Sequence, residues 1–215
     1  MAALGRETVA TGRTVEEAAA LGAAELGLRV EEAAVEVLES GGKGWLGLGT
    51  QRARVRVARP SKGEAAGRFV AGLAPLMGSA VDVEVQAPSG EGEPWQIAVA
   101  TADAARWIGH RGHTLEAVRV VCDAAAARVS GSRERLVLDV GGYRERREHM
   151  LQAMAKMAAD RARRQGREVV LEPMNPADRR IVHVTVQEIP GVESASQGEE
   201  PARRVVIRPV SPEGS

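Results

Sequence analysis

The stretch WIGHRGHTLEAV (107–118) constrains the fold most. Gly109 and Gly112 stand three positions apart, Ile108 comes just before them, and an apolar-periodic segment begins directly after. Glycines at that spacing let one piece of backbone approach another with no Cβ in the way. Helical patterning from about 102 to 108 and from 113 to 129 predicts helix, tight turn, helix. A glycine pair alone occurs in many ordinary turns, so its meaning rests on what flanks it.

The flanks are informative. PSKGEA (60–65) reads as a boundary, followed by a helix over 64–77. Strands are predicted at 80–87 and 95–101, on either side of the turn cluster APSGEGEP, and a third at 133–140. From about 63 to 140 the order is α-β-β-α-turn-α-β.

Before this lies a different unit. A strand over 5–12 leads to a helix from Val15 to Leu26, with Thr14 as its cap, Glu17 as the capping-box partner and Gly27 as its stop. Strands follow at 33–40 and 51–58. In the second, Ala53, Val55 and Val57 alternate with Arg52, Arg54 and Arg56, which puts three arginines on one face. GGKGWLGLG (41–49) between them reads as a glycine-rich hairpin loop. It lacks the spacing of a P-loop and opens no helix, so it is no dinucleotide fingerprint. After residue 140 come a long helix (about 143–165), a strand (168–172), a helix capped by Asn175 with Pro176 at its first position, and a closing strand (203–208). Met150, Met154 and Met157 share a face of the long helix with Leu151 and Ala158, and read as a buried stripe.

The chain has 215 residues and net charge zero, but the charge is uneven: 101–190 holds 16 Lys and Arg against 12 Asp and Glu. The five aromatic residues (Trp45, Phe69, Trp95, Trp107 and Tyr143) are too few for a surface that binds bases mainly by stacking. The single cysteine, Cys122, excludes an internal disulfide framework and a cysteine zinc cluster, and fits a reducing cytoplasmic setting. The opening MAALGRETVATGRTVEEAA has no apolar h-region, so no secretory signal is expected, nor does any apolar run suffice for a membrane span.

At the glycine corner, the helix from His113 directs its unpaired N–H groups and positive dipole end toward the turn. A phosphate passing there meets amide donors, and Arg111 can add a charge-assisted hydrogen bond. The helix-GxxG-helix within a three-stranded unit resembles a KH domain of the type II arrangement. That resemblance implies a clamp on single-stranded nucleic acid formed by Ile108, Gly109, His110, Arg111 and Gly112, with His110 where such loops carry Lys or Arg.

In NPADRRIVHVTVQ, Arg179 and His183 lie four apart, on one helix face. With the preceding long helix, the MNPADRR cap and SQGEEPARRVVI, the segment resembles the R-three-H domain, which binds single-stranded nucleic acid. The resemblance implies that Ser196, Gly198 and Arg203 lie near the Arg-His face. The β-α-β-β unit with KGWLGLG is similar to the N-terminal domain of the Jag/KhpB family, and the three modules in this order cover nearly the whole chain.

The expected fold is therefore α+β in three modules: a β-α-β-β N-terminal domain (1–59), a type II-like KH domain with a three-stranded sheet (63–140), and an R-three-H α/β domain (141–210). The resemblance implies a cytoplasmic bacterial single-stranded RNA-binding protein, an RNA chaperone or post-transcriptional regulator linked to cell-wall homeostasis, elongation and cell shape. It also implies a small KH-domain partner (KhpA) and leaves a homodimer open. Lys43 and Trp45 on the hairpin read as a partner-docking loop. Arg52, Arg54 and Arg56 read as a solvated strand face rather than an RNA track. Single-stranded DNA binding and a protein-interaction scaffold on the same surfaces remain alternatives. Catalysis would need His183 or His149 beside Asp178 or Glu145, but no nucleophile-base-orienter set appears, so no catalytic residue, cofactor or metal is expected.

Overall fold

The computed structural model describes residues 6–43 and 50–210. The chain divides into two compact units, Met1–Gly141 and Gly142–Ser215. Among the described residues no helix is long and apolar enough to cross a membrane.

The first unit opens with β1 (Glu7–Gly12), α1 (Val15–Glu25), β2 (Ala34–Glu39), β3 (Gly42–Lys43), β4 (Thr50–Gln51) and β5 (Ala53–Ala58). β5 lies between β1 and β2, antiparallel to both. Its alternation decides its orientation. Ala53, Val55 and Val57 are fully buried, and the two valines share a core with Ala18, Ala19 and Ala23 of α1. The arginines face out, where Arg54 pairs with Glu39 at 2.8 Å and Arg56 with Glu36 at 2.6 Å. Thr14 caps α1 by accepting the Glu17 N–H. The reciprocal half of the expected box is absent: the Glu17 carboxylate accepts from the N–H of Arg13 instead, 2.7 Å away. The hairpin at 41–51 pairs Gly42 with Gln51 and Lys43 with Thr50. Its tip, with Trp45, and the Lys43 side chain lie outside the described residues.

The same unit continues with α2 (Lys62–Leu76), β6 (Asp82–Gln86), β7 (Trp95–Ala100), α3 (Ala104–Ile108), α4 (His113–Ser130) and β8 (Leu136–Val140). β7 is central, antiparallel to β6 and parallel to β8. The α-β-β-α-α-β order and three-stranded sheet are those expected from the sequence. α2 begins two residues earlier than expected, because Ser61 and Glu64 form a full capping box. Ile97 and Val99 of β7, Leu138 and Val140 of β8, Val70 of α2 and Cys122 of α4 are all buried.

Arg59, just past β5, ties the halves of this unit together. Its guanidinium donates to the carbonyl of Leu26, at the end of α1, and to that of Val129 in α4 at 2.8 Å. Arg128 pairs with Glu32 nearby. Burial pushes the Glu32 carboxyl up, but hydrogen bonds from the Arg29 backbone and side chain and from Arg128 outweigh it and hold its pKa at about 2.

The second unit contains α5 (Tyr143–Gln165), β9 (Val169–Val170), α6 (Pro176–Gln187), β10 (Val192–Gln197) and β11 (Arg204–Pro209), with β11 between β10 and β9 in an antiparallel sheet. The methionine stripe is corrected. Met150 and Met157 are 52% and 66% exposed, and only Met154 packs against the core. Leu151 and Ala158 are buried as expected, and Ala155, Ala159 and Ala162 complete the buried face of α5. Small side chains let α6 and β11 come close, and the longer methionines fall to the sides. β10 was not anticipated: VESASQ has one large apolar residue, Val192, and its polar residues belong to the site described next.

Candidate nucleic-acid interface

α3 ends at Ile108, and the chain turns through Gly109 (φ 69°, ψ −173°). A Cβ at 109 would stand 2.1 Å from the Thr114 hydroxyl oxygen and 3.0 Å from its backbone nitrogen, so the turn can close only on glycine. Arg111 is itself left-handed (φ 54°, ψ 29°). Holding a non-glycine residue there costs about 1 kcal/mol or more, which the surrounding turn must overcome. Gly112 (φ 83°, ψ 9°) then serves as N-cap of α4 and has no side chain with which to cover the first amides. The corner is anchored from behind by Trp107, fully buried, whose indole N–H donates to Ser79 Oγ at 3.2 Å. In front, the rings of His110 and His113 lie nearly parallel, 6.2 Å apart, both exposed. Ile108 and Arg111 are half-buried. All five sequence-selected residues of this corner are therefore brought together.

In the second unit, Asn175 caps α6 by accepting the Asp178 N–H at 2.9 Å, with Pro176 in the first turn. The cap sets the helix phase, and Arg179 and His183 share a face packed toward β10. Their partners differ from an open cationic pair. Arg179 is buried; Nη1 donates to the Met174 carbonyl at 2.9 Å, and Nη2 pairs with the Glu200 carboxylate at 2.6 Å. The His183 ring is gripped at both nitrogens, Nδ1 to Ser194 Oγ at 2.7 Å and Nε2 to Ser196 Oγ at 2.8 Å. A neutral imidazole satisfies both serines, donating from one nitrogen and accepting at the other. Burial, and then the Arg179 charge, push the His183 pKa below its ordinary value. Asp178, buried in the first turn of α6, pairs with the half-buried Arg147 of α5 at 2.8 Å.

Ser196 thus lies against His183 as expected. Gly198 follows with φ 85°, a conformation that turns the chain after β10, and Arg203 stands exposed before β11. Ser194 and Glu200 were not selected from the sequence. The period-two spacing of Ser194 and Ser196, which puts both on one strand face, was the available signal for the first. Glu200 carried no signal, because its pairing with Arg179 depends on how the turn after β10 folds back.

Residues 149–209 match the model of the R-three-H domain, and residues 10–59 match that of the Jag N-terminus. The RNA-binding protein KhpB of Clostridium symbiosum is 35% identical over 198 residues, covering 92% of this chain and 89% of the relative. The RNA-binding protein KhpB of Bacillus subtilis (strain 168) is 31% identical over 206 residues, covering 94% and 98%. The protein of the same name from Streptococcus pneumoniae serotype 2 is 30% identical over a shorter match of 111 residues, 52% of this chain and 34% of the relative.

Proposed function

The chain belongs to the Jag/KhpB family, and from that premise we propose that it binds single-stranded RNA without catalysing a reaction, through two sites. One is the corner at Ile108–Gly112, within a KH domain spanning about 63–140. The other is the Arg179–His183 face of an R-three-H domain. The observation that carries the reading is the corner itself. Gly109, Arg111 and Gly112 all take positive φ and deliver the start of α4, which no side chain caps, at a half-buried turn from which His110 and His113 stand exposed. That is a place where backbone amides and the helix dipole favour an anion, and where the missing Cβ atoms admit a phosphate chain. Scarce aromatics make the recognition depend on phosphate and aliphatic contacts rather than on stacking platforms.

Two modest sites on one chain raise avidity without new contacts. By family membership the protein acts in the cytoplasm as an RNA chaperone, together with a small KH-domain protein (KhpA), in control of the cell wall and cell shape.

The test is binding of fluorescent single-stranded RNA and DNA across a salt series, with variants checked for folding. Gly109→Asp/Gly112→Asp and Arg179→Lys/His183→Ala should each weaken RNA binding. The slope of log affinity against log salt should fall by about 0.7 for each phosphate that a variant no longer neutralises. Wild type that binds neither oligomer at low salt would sink the reading and favour a protein-interaction surface.

A further inference from the structure

The Arg179–His183 face holds an anion site that the chain itself occupies. Arg179 is buried, with its Nη2 edge turned toward Glu200, whose side chain is 52% exposed. The Glu200 end of the pair is therefore open to solvent while the guanidinium is not. Arg203 stands exposed three residues on, just before β11. The Met174 carbonyl accepts from the other guanidinium nitrogen, a second anchor for the fork beside Glu200. His183, one helical turn along the same face, is fixed by its two serines. The result is a preset arginine fork of the kind that takes a carboxylate or a phosphate through the same donors.

We propose that Glu200 is a displaceable internal occupant of an anion site built on Arg179, and that a backbone phosphate of single-stranded RNA takes its place on binding. This rests on the RNA-binding reading above. It gives Glu200 a defined effect. Apparent affinity is reduced by the fraction of molecules in which the site is open, so the glutamate sets a threshold that only a phosphate chain held elsewhere along its length overcomes.

The experiment compares wild type, Glu200→Gln and Glu199→Gln as full chains against a fluorescent oligouridylate at low salt. Glutamine keeps the shape of Glu200 and a carbonyl oxygen that accepts from Arg179, so the buried guanidinium keeps an acceptor. Glu199→Gln removes the same charge one residue away. Glu200→Gln should tighten binding by about three- to tenfold, well beyond any gain from Glu199→Gln. Equal tightening by both would mean that net charge alone is acting, and would overturn the proposal. Weaker or unchanged binding by Glu200→Gln would also overturn it, making Glu200 a fixed strut while the RNA reading stands on wild-type binding. Binding by none of the three would overturn both. If Glu200→Gln melts early, the Arg179 Nε–H resonance of wild type decides: it should shift as RNA is added, and a resonance that stays in place defeats the proposal.

Discussion

Cys122 and His183 show how far a residue's chemistry is set by its surroundings. Cys122 is buried, its thiol facing the Ala66 carbonyl at 3.8 Å, and burial pushes its pKa up to about 11. A thiol in that state is inert. It should resist Ellman's reagent at pH 8 in the folded chain and react fully in guanidinium; fast labelling of native protein would contradict the burial. His183 has its pKa lowered by burial and by Arg179. The unfolded chain then binds more protons than the folded one below the ordinary histidine pKa of about 6.5. Its contribution is complete above that value and is lost as pH falls through the lower folded value. An NMR titration should place the His183 midpoint below about 6.5, and the Gly142–Ser215 unit should lose stability from pH 7 to pH 5, less so in His183→Gln. At this scale the four-residue spacing set Arg179 and His183 on one face, and the family resemblance placed Ser196 beside His183. The sequence did not show that Arg179 is enclosed and already paired, because neither Met174 nor Glu200 is identifiable as a partner until β10 and its following turn fold back along α6.

Elements were legible wherever local chemistry decides them. The Asn175–Pro176 start of α6, the glycine stop of α1 and the alternation of β5 are short-range facts. α2 shows one that was passed over: SKGE is a capping box, and it moves the helix start back to Lys62. Where packing decides, the periodic pattern misleads, as with Met150 and Met157, because several faces of an amphipathic helix are partly apolar and only the neighbour selects one. Two elements carry predictions. At Gly63 of α2, an added Cβ would meet Trp95 at 2.1 Å, so Gly63→Ala should cost about 1–3 kcal/mol by overpacking, read from the denaturation midpoint. Arg59 joins three elements through carbonyls that would lose a charged donor. Arg59→Ala should destabilise the first unit by about 1.5–3 kcal/mol, and a change within error would show those hydrogen bonds to be replaced by water.

The whole molecule divides at Gly141/Gly142, and each unit has its own buried core. A fragment of residues 142–210 should therefore fold cooperatively by itself, with a dispersed amide spectrum; a collapsed spectrum would mean that it needs the first unit. By itself the sequence determined the α+β class, the GxxG corner and the capped helix bearing Arg179 and His183. Those follow from caps, glycines and periodicities acting over a few residues. Tertiary structure alone decided which charges are engaged: Arg59 on Leu26 and Val129, Arg147 on Asp178, Arg179 on Glu200, His183 between two serines. The reason is physical. A charged side chain reaches any of several partners of opposite polarity, and the choice is made by which backbone segments the packed cores bring within hydrogen-bonding distance.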